Sequence, residues 1–222
     1  MNFIQMNNVR FEYPNSDFKL SIENLAFPKA SRTAIIGPSG FGKTTLLNLI
    51  SGISMPEMGQ VDVNGTLINT LSDADRRTFR LMNIGFVFQD FKLLDYLTVV
   101  DNMLLPFRIN KALKLNEQAR NHAVELSAIL GIEDKMSKYP DKLSQGERQR
   151  VAICRALIHE PPLILADEPT GNLDPENKRV IMKMLFDYVS HRGSTLITVT
   201  HDHELLSGFD RTIDFKEIYI RN

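Results

Sequence analysis

Apolar and polar residues alternate over residues 4–11 and 18–27, the period of half-buried strands, and Tyr13-Pro14-Asn15-Ser16 between them carries turn chemistry. A short apolar strand, Thr33-Ala34-Ile35-Ile36, runs into Gly37, and the spacing predicts a helix over 44–50. Within 60–68 the pair Asn64-Gly65 supplies the positive φ angles of a tight hairpin turn. Ser72 or Asp73 suits the cap of a helix ending near Leu81, and a strand over 84–88 then ends at Gln89. From there to about Pro162 the period becomes helical, over 98–105, 116–130 and 144–159. Strand patterns return at 163–166 and 195–199, separated by a helix with Asp174 as its cap and Pro175 at its first position. The pattern predicts an α/β fold: a mostly parallel sheet flanked by helices, with an antiparallel β part near the N-terminus. Its core covers 1–89 and 163–222, and a helical subdomain is inserted over about 90–162.

At 222 residues the chain suits one substantial α/β domain better than two independent ones. Charged residues at 24% and apolar residues at 43% exclude a largely disordered chain. A formal net charge of -1 gives no electrostatic footprint for nucleic acid, so none is expected as a partner. Cys154 is the single cysteine, which rules out an intrachain disulfide and fits a reducing compartment; Ile153 and Ala156 beside it suggest a buried helix position. No apolar run approaches the ~20 residues of a membrane span, and the first residues lack a secretory start. The chain reads as cytosolic.

Gly37-Pro38-Ser39-Gly40-Phe41-Gly42-Lys43-Thr44 fits G-x-x-x-x-G-K-[ST] between a predicted strand and a predicted helix, the context that gives this string meaning. The glycines let backbone N–H groups turn toward phosphate oxygens, and the helix start adds its partial positive charge. Lys43 then bridges the β- and γ-phosphates, the Thr44 hydroxyl ligates Mg²⁺ and Thr45 reaches the α-phosphate. Such a P-loop NTPase core alone does not separate a kinase from a GTPase, a motor or a transporter subunit.

Leu163-Ile164-Leu165-Ala166 reads as a buried parallel strand that delivers Asp167 and Glu168 to the carboxyl end of the sheet, where ligands of doubly wound folds bind. Asp167 suits Mg²⁺ held largely through water, and Glu168 is placed to polarise an attacking water. Ser144 and Glu147 have capping-box spacing at the start of the next-to-last long helix, and a helix start beside a small residue is also an anion site. Capping alone does not require Gly146.

Leu143-Ser144-Gln145-Gly146-Glu147, Leu163 through Glu168 and Gly171-Asn172-Leu173-Asp174 resemble, in order, the signature, Walker B and D-loop of ATP-binding-cassette (ABC) ATPases. Gln89 matches that family's Q-loop glutamine and His201 its switch histidine. The resemblance implies catalytic roles for Glu168, His201 and Gln89, with Thr44, Gln89 and Asp167 around Mg²⁺. It further implies that Ser144, Gln145, Gly146 and Glu147 of one subunit close on ATP held by another, and that Asp174 communicates between them. Tyr13 stands where the family stacks an aromatic on adenine, with Phe11 as the competing candidate. The string departs from the commonest Leu-Ser-Gly-Gly-Gln at Gln145 and Glu147, and Gln145 adds bulk where backbone is usually bare.

Within the family, residues 84–91 with Leu93-Leu94 and Asp101-Asn102 through Leu105-Pro106 look most like the ATPases for lipoprotein release, macrolide export and cell division. Lys92, Asp95 and Ala30-Ser31 depart from that group's usual residues, and the stretch after Asp210 leaves no room for an appended regulatory domain. The resemblance implies a dimer, homo- or heterodimeric, around two MgATP. It also implies that this dimer works with separate integral membrane permease subunits from the cytoplasmic face of the membrane, in export or mechanotransmission. A soluble ABC ATPase acting on DNA or ribosomes is the rival. It is disfavoured by the single cassette and the absence of a basic excess.

Overall fold

The computed structural model describes residues 1–171 and 173–218, so Asn172 of the D-loop string and the last four residues lie outside it. The alternating N-terminal segments form two long antiparallel strands, β1 (Asn2–Glu12) and β2 (Lys19–Pro28). β3 (Arg32–Ile36) leads through the phosphate loop into α1 (Lys43–Ile50). β4 (Met58–Val63) and β5 (Thr66–Leu67) are joined at Asn64-Gly65, and with the first two strands they make an antiparallel sheet of order β2-β1-β4-β5.

After α2 (Asp73–Asn83), capped by the Ser72 hydroxyl, the chain enters β6 (Ile84–Val87). Four short or medium helices follow: α3 (Val99–Met103), α4 (Pro106–Ile109), α5 (Glu117–Ile129) and α6 (Gln145–Leu157). The single helix expected over 98–105 therefore ends early and a second begins at Pro106. Proline has no N–H for the helical ladder and its ring opposes the carbonyl one turn back, so the chain restarts there. Asn102 is fully buried and ties this region to the segment behind it: its side chain accepts from the Leu94 N–H and donates to the carbonyls of Leu94, Leu97 and Thr98.

β7 (Leu163–Asp167), α7 (Pro175–Arg192), β8 (Thr195–Val199), β9 (Arg211–Asp214) and the one-turn α8 (Phe215–Ile218) complete the described chain. The second sheet is parallel throughout, in the order β6-β7-β8-β3-β9. β7 and β8 are buried at every position, as central strands covered on both faces must be. The edge strand β9 is not marked by its own pattern, because only Ile213 of its residues is buried.

One apolar core joins the antiparallel sheet and α1 to one face of the parallel sheet. The other packs α3, α5, α6 and α7 on the opposite face, with Cys154 fully buried in it. α6 lies close against β6: a Cβ on Gly85 would fall 2.2 Å from the Ala156 carbonyl oxygen, so only glycine fits there. Because the strands of the second sheet run in one direction, the segments following β3, β6, β7 and β8 emerge along one edge.

Candidate functional site

The phosphate loop occupies that edge. Gly42 caps α1 in a left-handed conformation (φ 101°) and offers no side chain to the first helical N–H groups, which leaves them available to an anion. A Cβ there would also fall 2.5 Å from the Phe18 ring, so glycine is needed for both backbone and packing. Lys43 is 5% exposed, and its Nζ donates to the carbonyls of Gly37 and Pro38, each at 2.7 Å. Burial lowers its pKa while the charges of Glu168 and Asp167 pull the other way.

Thr44 Oγ1 donates to Asp167 Oδ2 at 2.8 Å. Burial raises the Asp167 carboxyl above the usual carboxylate range; the Thr44 hydrogen bond opposes this and the neighbouring Glu168 charge adds to it. Hydroxyl and carboxylate oxygens beside a phosphate loop form the hard-donor set that suits Mg²⁺. Glu168 adopts φ 47°, which turns the chain sharply off β7 while its N–H still bonds the Val199 carbonyl.

This turn places the Glu168 carboxylate between two partners. Gln89 Nε2 donates to Oε2 at 3.1 Å, and His201 Nε2 lies 2.8 Å from Oε1. The three residues follow β6, β7 and β8, which are neighbours in the sheet, so strand order alone sets them side by side.

An open cavity of about 490 Å³ is lined by Tyr13, Phe18, Ser39, Gly40, Gly42 through Thr45, Gln89, Glu168, Val199 and His201. Of the two aromatic candidates, Tyr13 is 38% exposed and borders this cavity, whereas Phe11 is 7% exposed and packs edge-on beneath it. The Tyr13 hydroxyl lies 3.1 Å from Thr45 Oγ1. Phe41 does not line this cavity and packs, partly buried, against the core.

The stretch expected to serve a second subunit lies elsewhere. Ser144 caps α6 with a complete capping box: its Oγ accepts from the Glu147 N–H and Glu147 Oε2 accepts from the Ser144 N–H. The Glu147 carboxylate is thus engaged within its own helix, and the Ser144 backbone hydrogen bond, first among several contacts, keeps its pKa low. Ser144 and Gln145 are exposed, and neither they nor Gly146 line the cavity around Lys43. A Cβ on Gly146 would come no closer than 3.8 Å to Leu173, ordinary contact, so this chain by itself imposes no steric need for glycine there.

Asp174 caps α7 by accepting from the N–H groups of Glu176 and Asn177, and also accepts from Asn177 Nδ2. Asn177 in turn accepts from Arg150 of α6 at 2.9 Å, joining the starts of the two helices. Phe18, Arg150 and Lys178 belong to no motif of the sequence, yet each makes a contact at or beside these positions. Lys178 pairs with Asp202 at 2.9 Å, directly after His201. Single residues far apart in the chain leave no local pattern that would reveal such contacts.

A family model described as ABC transporter matches residues 20–171. The lipoprotein-releasing system ATP-binding protein LolD of Bacteroides thetaiotaomicron is 41% identical over 190 residues, covering 86% of each chain. The solved dimer of the ATP-binding cassette MJ0796, in a post-hydrolysis state bound to ADP and Pi, is 34% identical, with a TM-score of 0.85 over 95% of this chain and 93% of that one. CbiO1 of Clostridium perfringens, part of the ABC transporter complex CbiONQ, is 29% identical, with a TM-score of 0.83 over 96% and 85%. Motif order, sheet topology and these relatives together place the chain in the ABC transporter family, as one of its ATP-binding, ATP-hydrolysing subunits.

Proposed function

We propose that two copies of this chain, or one copy and a similar ATPase, close on two MgATP and drive separate membrane permease subunits. The observation that carries this reading is the division of the site: Ser144 and Gln145 are exposed at the start of α6, and neither they nor Gly146 line the chain's own phosphate cavity. The dimeric state of the MJ0796 neighbour supports it. Each site then uses one subunit's phosphate loop, with Gly37 through Thr45, and the other's Ser144, Gln145 and Gly146. Glu147 holds the contacting helix start in shape, and Asp174 carries the state of one site toward the other.

Within a site, Lys43 exchanges the loop carbonyls for the β- and γ-phosphate oxygens, Thr45 meets the α-phosphate and Tyr13 stacks on adenine. Thr44, Asp167 and Gln89 hold Mg²⁺, which when bound neutralises charge developing on the phosphate oxygens. Glu168 orients water and takes its proton as the water oxygen attacks the γ-phosphorus and the oxygen bridging to ADP leaves. His201 keeps the Glu168 carboxylate aimed and contacts the γ-phosphate. ATP favours the closed dimer because only there does it touch both subunits, and hydrolysis removes that preference.

The division into a core of 1–89 with 163–222 and a helical subdomain of about 90–162 belongs to the same proposal. The stretch after Gln89 passes opening and closing to the permease. A groove beside it joins Phe86, Phe88, Leu105, Pro106 and Ile109 to Arg77, Arg80, Lys92 and Arg155, and suits a partner segment that carries both apolar and acidic side chains. No helix among the described residues is long and apolar enough to cross a membrane. Similarity to the ATP-binding protein of a lipoprotein-releasing system supports a place on the cytoplasmic face of the membrane, held there by its partners. Similarity to LolD supports a role in export or mechanotransmission.

Glu168→Gln is expected to bind ATP and dimerise while hydrolysing at least about a hundredfold more slowly, the range for loss of a positioned base. Phosphate release and ATP-dependent gel filtration measure both; near-parental turnover would remove Glu168 as the main catalytic residue. Co-purification with an integral membrane protein tests the permease partner.

A further inference from the structure

Gln89 reaches Glu168 from a loop whose backbone is poorly disposed to stay where it is. Phe91 (φ 60°) and Lys92 (φ 50°) are consecutive non-glycine residues in the left-handed region, and the Lys92 N–H bonds the Asp90 carbonyl at 2.6 Å, closing a tight three-residue turn. Side chains disfavour this backbone, and one such residue after another compounds the cost. Something outside the turn has to hold it.

Arg155 is placed to do so. Its Nη1 donates to the Lys92 carbonyl and its Nη2 to the Phe91 carbonyl, both at 2.5 Å, so one planar guanidinium grips both left-handed residues. Burial depresses its pKa to about 10 with no carboxylate contributing against it, unlike the arginine of an ion pair. The cost of burying that cation is offset by the two carbonyls. Arg155 also lies on α6, roughly three turns from the Ser144 cap, and the Gly85 contact keeps this helix close to the strand from which Gln89 emerges.

We propose that Arg155 is the positioning residue that holds Gln89 against Glu168, and that through α6 it ties the setting of Gln89 to the helix start that meets the second subunit's nucleotide. Arg155 touches neither ATP nor the reacting atoms. It acts by keeping the Phe91-Lys92 turn populated, so a shift of α6 at its Ser144 end moves the Gln89 side chain. This inference rests on the catalytic reading of Gln89.

The test uses the full chain, with steady-state phosphate release for kcat and KM and a fluorescent ATP analogue for affinity. Arg155→Met is expected to lower kcat about tenfold or more while analogue affinity measured without Mg²⁺ stays within about twofold, because the phosphate loop is untouched and only the aim of Gln89 is lost. Arg155→Lys should fall between, since an ammonium cannot grip two carbonyls as a fork does. Adding Lys92→Gly to Arg155→Met should recover about fivefold in kcat, because glycine takes the left-handed backbone without side-chain penalty. A purely structural arginine would show no such recovery.

Parental kcat in Arg155→Met alongside an impaired Gln89→Ala overturns the inference alone, as does a loss that Lys92→Gly leaves unrepaired. Parental turnover by Gln89→Ala overturns the reading of Gln89 and the inference with it. Should Arg155→Met fail to fold, Arg155→Lys with and without Lys92→Gly decides by the same criteria.

Discussion

Glu168 illustrates what a single residue gives up for its position. Its left-handed backbone costs about 1–2 kcal/mol for a residue with a Cβ, and the return is a carboxylate lying between Gln89 and His201. His159 carries a different cost. Both ring nitrogens are buried without a hydrogen-bond partner; burial lowers its pKa to about 4, and the nearby Ile84 backbone opposes that only in part. With an unfolded value near 6.5, the unfolded chain takes up a proton between pH 6.5 and 4 that the folded chain refuses. Stability is therefore full above that window and falls as the pH drops through it. From pH 7 to pH 5 the loss should be about 2 kcal/mol, and His159→Leu should abolish most of it. Urea midpoints of both chains at the two pH values measure this; equal falls would remove His159 as the cause.

At the scale of elements, the starts of α1 and α6 make opposite demands on their glycines. Gly42→Ala would meet the Phe18 ring at a backbone no alanine favours, and ATP affinity should drop by at least about tenfold. Gly146→Ala has room in its own chain, so thermal stability should hold or rise by up to about 1 kcal/mol with ATP affinity unchanged. Its cost should appear only in ATP-driven dimerisation, read by gel filtration in the Glu168→Gln background. Undiminished dimer would argue that nothing approaches this backbone. The α7 cap separates two functions in a similar way. Asp174→Ala should lose about 1 kcal/mol of stability, whereas Asp174→Asn keeps the cap and isolates any effect of its charge on turnover. Thermal unfolding and phosphate release together distinguish them.

For the whole molecule, a divided site makes a prediction that no single chain can satisfy. Lys43→Ala disables a phosphate loop and Gly146→Asp a signature helix, so each dimer of one variant lacks both sites. Mixing the two variants rebuilds one complete site, from the phosphate loop of one and the helix start of the other, and ATPase activity should return on mixing. No recovery at concentrations where the parent dimerises would mean that the site is complete within one subunit.

The parts of this molecule readable from residue order are those whose partners lie a few positions away. The Ser144 and Glu147 capping box, the Asp174 cap with Pro175 and the Asn64-Gly65 turn are local contacts. The glycine-rich string between strand and helix is equally local, and so is the apolar run that carries Asp167 and Glu168. The sequence by itself determined these, and with them the α/β class and the phosphate chemistry. The tertiary structure alone decided which distant residues meet. Gln89, Glu168 and His201 are neighbours because β6, β7 and β8 are adjacent and parallel. Tyr13 rather than Phe11 faces the cavity because β1 buries the latter. Arg155 grips the Phe91-Lys92 turn only because α6 packs on β6. Such contacts depend on strand order and on how closely a helix can approach a sheet, and both are set by the packing of the whole core rather than by any window of residues.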